Sequence, residues 1–230
     1  MSELNYRSAL IVGAGSGISA SLARLLTANG MKVGLAARNT DKLAPLLAET
    51  KAVAFQTDAS KPDDVAKLFE QAGKQIGEPD VVIYNASARA PGPIAEIDPE
   101  AVRKAVEISA FGAFLVTQQA ARRMIPHGRG AIFLTGATAG VKGFPLSAAF
   151  AMGKFALRGL AQSTARELMP KGIHVAHFVI DGGVRSAVRP DKDDDKLHPD
   201  AIAQTYLDVL RQHRSAWSFE VEVRPWVEKF

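Results

Sequence analysis

The most restrictive feature of this chain stands near its start. An apolar run, Ala9–Val12, breaks into Gly13-Ala14-Gly15-Ser16-Gly17-Ile18, and a helix-period segment follows directly. Glycines at alternate positions between a strand and a helix allow a tight turn and leave backbone N–H groups open. Together with the open N–H groups of a helix terminus, such a turn is suited to receive an anion. The same alternation continues along the chain. Lys32–Ala36, Ala52–Phe55, Val81–Tyr84, Ala131–Leu134, Ile173–Ile180 and Phe219–Val223 read as further strands, and residues 17–29, 40–49, 62–76, 98–125 and 147–169 as helices. All but the last strand are almost continuously apolar, as expected of strands covered on both faces. Lys61-Pro62 and Asp98-Pro99 read as helix entries, with proline in the first turn. Strands alternating with helices predict an α/β fold: a doubly wound parallel sheet of about seven strands, of Rossmann type.

Composition narrows the function classes. Of 230 residues, 47% are hydrophobic, enough for the core of one domain, and no linker-like stretch divides residues 1–230. Cysteine is absent, which excludes disulfides and thiol chemistry and suits a reducing, cytoplasmic setting. The polar start MSELNYRS leads straight into a strand, and no apolar run is long enough to span a bilayer, so no signal segment or membrane association is expected. The net charge of +4 is scattered among acids rather than gathered into a stripe, which argues against a nucleic-acid partner. His127, His174 and His177 match no metal-ligand spacing and read as structural, so no metal is expected. Residues 183–198, which include Asp191-Lys-Asp-Asp-Asp-Lys196, read as a flexible lid over the site or simply as a solvated loop.

Candidate ligands gather where the strands end. In a dinucleotide-binding sheet, an acid near the end of strand two binds the ribose 2′-hydroxyl of NAD. That place holds Ala37, followed by Arg38. Losing a carboxylate and gaining a guanidinium favours a 2′-phosphate through charge-assisted bonds, so NADP(H) is expected over NAD(H). The alternative is that Arg38 merely ends a strand in solvent. Asp58, after strand three, could bond the adenine amino group, and Asn85 with Ala86, after strand four, could hold main chain beside the ribose. Asp and Asn are equally ordinary turn formers.

Together these motifs resemble the short-chain dehydrogenase/reductase family over nearly the whole chain, from about Ser8 to Pro225. The family's Thr-Gly-x-x-x-Gly-x-Gly loop falls on Val12, Gly13, Gly17 and Ser19, and its Asn-Asn-Ala-Gly motif on Tyr84 to Ser87. Its catalytic Asn, Ser, Tyr and Lys fall on Ser109, Ala137, Phe150 and Lys154, so only the lysine is kept. Its Pro-Gly turn after strand six becomes Asp181-Gly182, and the threonine beyond becomes Ser186. Enoyl reductases place their tyrosine three residues upstream, where this chain has Ser147. The resemblance thus implies cofactor contacts from Gly13, Gly15, Ser16, Gly17, Ile18, Arg38, Asp58, Asn85, Ala86, Lys154, Gly182 and Ser186. It also implies a reaction centre around Lys154, Phe150, Ala137, Ser109 and Asp181.

The departures fall on proton transfer. In this family the tyrosine transfers the proton, and the lysine lowers the phenol's pKa from about 10 and bonds the nicotinamide ribose. Phe150 lies one helical turn from Lys154 but has no proton to give. Losing general acid catalysis typically costs about 10²–10⁴-fold, while the benefit of positioning the reactants survives. Asp181 is a candidate stand-in if burial raises its pKa, although it also reads as a plain turn residue in Asp181-Gly182-Gly183. Phe150 is either a diverged site residue or a core aromatic. Two functions remain open: an oxidoreductase that uses NADP(H) on a small-molecule carbonyl, alcohol or activated double bond, or a catalytically weak NADP(H)-binding scaffold or sensor. Small residues along the fifth helix (Ala148, Ala149, Ala151, Gly153, Ala156, Gly159 and Ala161) permit close helix approach. With the family's habit of pairing through its fourth and fifth helices, they imply a homodimer or homotetramer, unless they pack only on the sheet.

Overall fold

The computed structural model describes residues 4–228. Its strands are β1 Ser8–Val12, β2 Lys32–Ala37, β3 Val53–Gln56, β4 Val81–Tyr84, β5 Gly130–Thr135, β6 Ile173–Ile180 and β7 Glu220–Val223. They form one sheet in the order β3-β2-β1-β4-β5-β6-β7, with every neighbouring pair parallel. This is the seven-stranded, doubly wound architecture expected from the alternating pattern. The helices are α1 Ile18–Ala28, α2 Ala44–Thr50, α3 Pro62–Ile76, α4 Pro99–Val106, α5 Gly112–Met124, α6 Ala148–Leu168 and α7 Pro199–Leu210.

The core lies in two layers, one on each face of the sheet. Along β1, Ala9 and Ile11 pack with residues of α1 and α7, while Leu10 and Val12 pack with residues of α3, α5 and α6. Leu10 and Ile11 are fully buried, each contributing about 1.5–3 kcal/mol relative to exposure. Proline opens α3 and α4, where a missing N–H is harmless, and Asp98 caps α4 by accepting from Glu100 N and Ala101 N, both at 3.1 Å. Val12 pairs with Ala36 on one side and Tyr84 on the other. The carboxyl ends of β1, β2 and β4 therefore lie level at the point where strand order reverses, where such sheets bind ligands.

Three local differences from expectation bear on the site. Helix α7 was not foreseen, although Pro199 opens it and Ile202, Ala203, Tyr206, Leu207, Val209 and Leu210 bury one face. The expected helix 98–125 is interrupted at Glu107–Phe111 by a π turn, a feature often found at functional sites. The expected helix 40–49 is a 3₁₀ turn, Asp41–Leu43, followed by α2. The stretch 183–198 is fastened at its base: Leu197 N donates to Gly183 O at 2.8 Å, and Arg185 N to Leu197 O at 2.9 Å. No described helix is long and apolar enough to cross a membrane.

Candidate active site

The glycine turn is held by the sheet edge beside it. Gly13 N and Ala14 N both donate to Ala36 O, at 3.0 and 2.9 Å. Gly13 has φ +90°, and a Cβ there would collide with the backbone of Ala86, so the β1 and β4 turns touch in a way only glycine allows. Gly15 and Gly17 face open space, and α1 begins at Ile18 with no side-chain cap on its first N–H groups. The family's last loop glycine is Ser19 here, and the structure gives it a task. Ser19 Oγ donates to Gly13 O at 3.1 Å and accepts from Asn85 Nδ2 at 2.7 Å, locking the turn to the end of β4.

A crevice of about 560 Å³ joins Gly13, Ala14, Arg38, Asn39, Asp58, Asn85, Ala86, Ser87 and Ile108. Arg38 also borders a second recess with Asp58, Lys61, Asp64 and Lys67 and makes no ion pair among the described residues. Asp58 Oδ1 accepts from Ser60 N at 3.1 Å and Ser60 Oγ at 2.7 Å. Burial raises its pKa, but those bonds and the charges of Lys61 and Arg38 outweigh the effect and leave it lowered. Beyond the glycine turn, a space of about 350 Å³ lies between Gly15, Gly17 and Ile18 and the loop bearing Arg185, Ser186 and Arg189. Ser16 borders the far side of that loop with Arg24 and Arg185.

Ser109, Ala137, Phe150 and Lys154 come together around the first turns of α6. A Cβ at Gly153 would meet Ser109 Cβ at 2.7 Å, and one at Gly140, which follows Ala137, would meet Lys154 O at 3.1 Å. These glycines let α6 settle against the π turn on one side and the loop after β5 on the other. The π turn is held by Tyr84, whose hydroxyl donates to Ile108 O at 2.5 Å, and Gly112 leaves room for that hydroxyl. Lys154 is 3% exposed, and its Nζ donates to Thr135 O at 2.6 Å. Desolvation, reinforced by the charge of Arg89, pushes its amine down to about 7. Thr135 is positioned in turn by Tyr206 of α7, hydroxyl to hydroxyl at 2.9 Å.

Asp181, expected near the reaction centre, has a partner of its own. It is 3% exposed, but its carboxylate is taken up by Arg224 at 2.8 Å, and its N–H donates to Val223 O. Gly182 has φ +144°, and a Cβ there would strike the ring of Pro225. Both residues thus have structural reasons rooted in the end of β7 and the two residues beyond it. His177, expected to be structural, is fully buried with Nδ1 3.0 Å from Glu220, which also pairs with Arg158.

Sequence reading missed one residue at the centre, Arg89. Its guanidinium lies 3.9 Å above the ring centroid of Phe150, and Lys154 Nζ lies 5.8 Å from the same centroid. Ser109 Oγ accepts from Ala88 N at 3.1 Å, so Ser109 holds the loop that carries Arg89.

Residues 7–197 match the short chain dehydrogenase family. The chain belongs to that family. A short-chain dehydrogenase from Rhodopseudomonas palustris is 38% identical, with a TM-score of 0.84 over 96% of this chain and 99% of that one. A metagenomic short-chain oxidoreductase in complex with NADP is 27% identical, with a TM-score of 0.85 over 98% and 100% of the two chains. An uncharacterized oxidoreductase of Staphylococcus aureus is 28% identical over 98% of this chain and 100% of its own length. Family membership makes the chain one of a group of oxidoreductases.

Proposed function

We propose that this chain is an NADP(H)-dependent oxidoreductase acting on a carbonyl compound, an alcohol or an activated double bond, with Lys154 rather than a phenol carrying the proton. The observation that carries this reading is the crevice itself, which joins Arg38 and Asn39 to the glycine turn and to the strand-four end. The residues fit the cofactor. Gly15, Gly17 and the uncapped terminus of α1 would receive the pyrophosphate, with Arg185 and Ser186 opposite. Arg38 would take the 2′-phosphate, Asp58 the adenine edge, and Asn85 with Ala86 would hold main chain beside the ribose. The NADP complex of the metagenomic relative supports this choice.

When bound, reduced nicotinamide would supply a hydride to a carbonyl carbon, whose oxygen then needs one proton; alcohol oxidation is the same exchange run in reverse, and in an activated double bond the proton would go to carbon. Among groups close to Phe150, the Nζ of Lys154 is tuned for that task, because a pKa near the working pH makes a group an effective acid. Ala137 offers no hydroxyl and Phe150 no acid, so orientation falls on the surrounding cations. Phe150 is buried, at 7% exposed, but the group over its ring is a guanidinium rather than an apolar side chain.

The chain also pairs with itself in this reading. Phe111 and Phe114, stacked at 6.1 Å, are exposed, as are Met152 and Phe155 on α6. Of the small residues on α6, Ala149, Gly153 and Ala161 pack inside the chain, while Ala156 and Gly159 lie at the surface.

Titration calorimetry of NADPH and NADH tests the cofactor assignment. A charge-assisted bond to the 2′-phosphate contributes about 1.5–3 kcal/mol, so NADPH should bind at least about tenfold tighter, and Arg38→Ala should erase the difference. Equal affinities in the parent protein would refute it.

A further inference from the structure

We propose that Arg89, seated on the ring of Phe150, binds a carboxylate of the substrate, so that the substrates of this chain are oxo or hydroxy acids rather than neutral ketones or alcohols. This deepens the proposed function and rests on its placement of the reacting carbon beside Lys154.

The first argument is charge. Burial and, after it, the charge of Arg189 lower the pKa of Arg89, and burial and, after it, the charge of Arg89 lower that of Lys154. None of the three has an ion pair among the described residues. The nearest acid along β6, Asp181, is committed to Arg224. The first turn of α6, which carries Phe150, has no acid and no side-chain cap. Lys154 and the exposed Arg89 therefore stand at Phe150 with no ion-pair partner among the described residues.

Geometry supplies the second argument. The loop bearing Arg89 is tied at both ends, by Ala88 N to Ser109 Oγ at 3.1 Å and by Gly92 N to Leu146 O at 3.1 Å. Leu146 itself sits at φ +60°, an unfavourable backbone state for leucine that is retained where the loops meet. The Arg89 guanidinium, centred over the Phe150 ring and exposed, is open to a ligand. That planar fork matches the two oxygens of a carboxylate. The other site arginines have separate places: Arg38 borders the crevice beside Asp58, and Arg185 and Arg189 face the glycine turn. Among the described arginines, only Arg89 lies over the ring of Phe150.

The test is a binding measurement that needs no turnover. Benzoate and benzamide, alike in shape and different in charge, are titrated calorimetrically into the protein saturated with NADP⁺. The parent should bind benzoate at least tenfold tighter than benzamide. Arg89→Leu should lose that preference, and Arg89→Lys should restore part of it, while NADP⁺ affinity changes less than threefold in both. Equal or absent binding of the two probes by the parent overturns the proposal, as does a preference that survives in Arg89→Leu. A tenfold loss of NADP⁺ affinity in Arg89→Leu also overturns it, by assigning the arginine to the cofactor. Failure of the parent to bind NADP⁺ at all would instead defeat the cofactor reading, and the two probes titrated into the cofactor-free protein would then decide the role of Arg89 alone.

Discussion

Replacing Lys154 by methionine isolates what it takes to bury an ammonium at this site. Lys154 is 3% exposed, has one hydrogen bond to Thr135 O, and its amine is pushed down to about 7 from 10.5. In the unfolded chain a lysine keeps its proton to about pH 10.4. Between about pH 7.5 and 9.5 the unfolded state therefore holds about one more proton at this residue than the folded state does, and stability rises with pH wherever that is so. The sign follows from the lowered folded-state pKa. The penalty for burial is fully present below about pH 7 and fades as pH climbs toward 10.5. At about 1.4 kcal/mol per pH unit, the parent gains about 2.7 kcal/mol across that interval relative to Lys154→Met, which has nothing to titrate. Urea unfolding of the cofactor-free proteins, repeated across the interval, reads this directly, because all other titrating groups cancel in the difference. A difference that stays constant within about 0.5 kcal/mol would refute the reasoning and show that the lysine keeps an ordinary pKa in the fold.

Two further outcomes are expected. Phe150→Tyr alone should give a modest gain in carbonyl reduction, because Ala137 offers no hydroxyl to hold the substrate oxygen. Phe150→Tyr with Ala137→Ser should gain more than the product of the two single changes in kcat/KM, as groups acting as a unit do; a parent that already matches the double variant would show that Phe150 is not a lesion. Sedimentation should find a dimer or tetramer at micromolar concentration, and Phe114→Glu with Phe155→Glu should yield a monomer that still binds NADPH; a monomeric parent refutes the pairing.

Much of this was legible because it is local. The β1 turn, the apolar strands and the spacing of Phe150 to Lys154 are each set by a few consecutive residues, and the structure places them as read. Helix α7 was legible too: Pro199 and a buried face from Ile202 to Leu210 are ordinary signals, overlooked after the charged run at 191–196. Arg89 was not legible. Its place depends on Ser109, in the π turn that Tyr84 holds, and on Leu146, in the loop before α6. The same holds for Asp181, whose partner Arg224 comes from beyond β7. What a residue offers chemically is written beside it, but which charges meet is decided by packing between distant segments.

The central claim is that a short-chain dehydrogenase with phenylalanine at the tyrosine position still performs reduction. Anaerobic single-turnover mixing of the protein–NADPH complex with a panel of oxo acids, ketones and enones tests this most directly. The account predicts loss of reduced-nicotinamide absorbance with at least one oxo acid, faster than in free NADPH and slowed in Lys154→Met. Stoichiometric NADPH binding with no oxidation above that of free NADPH across the whole panel would contradict it and leave a cofactor-binding scaffold.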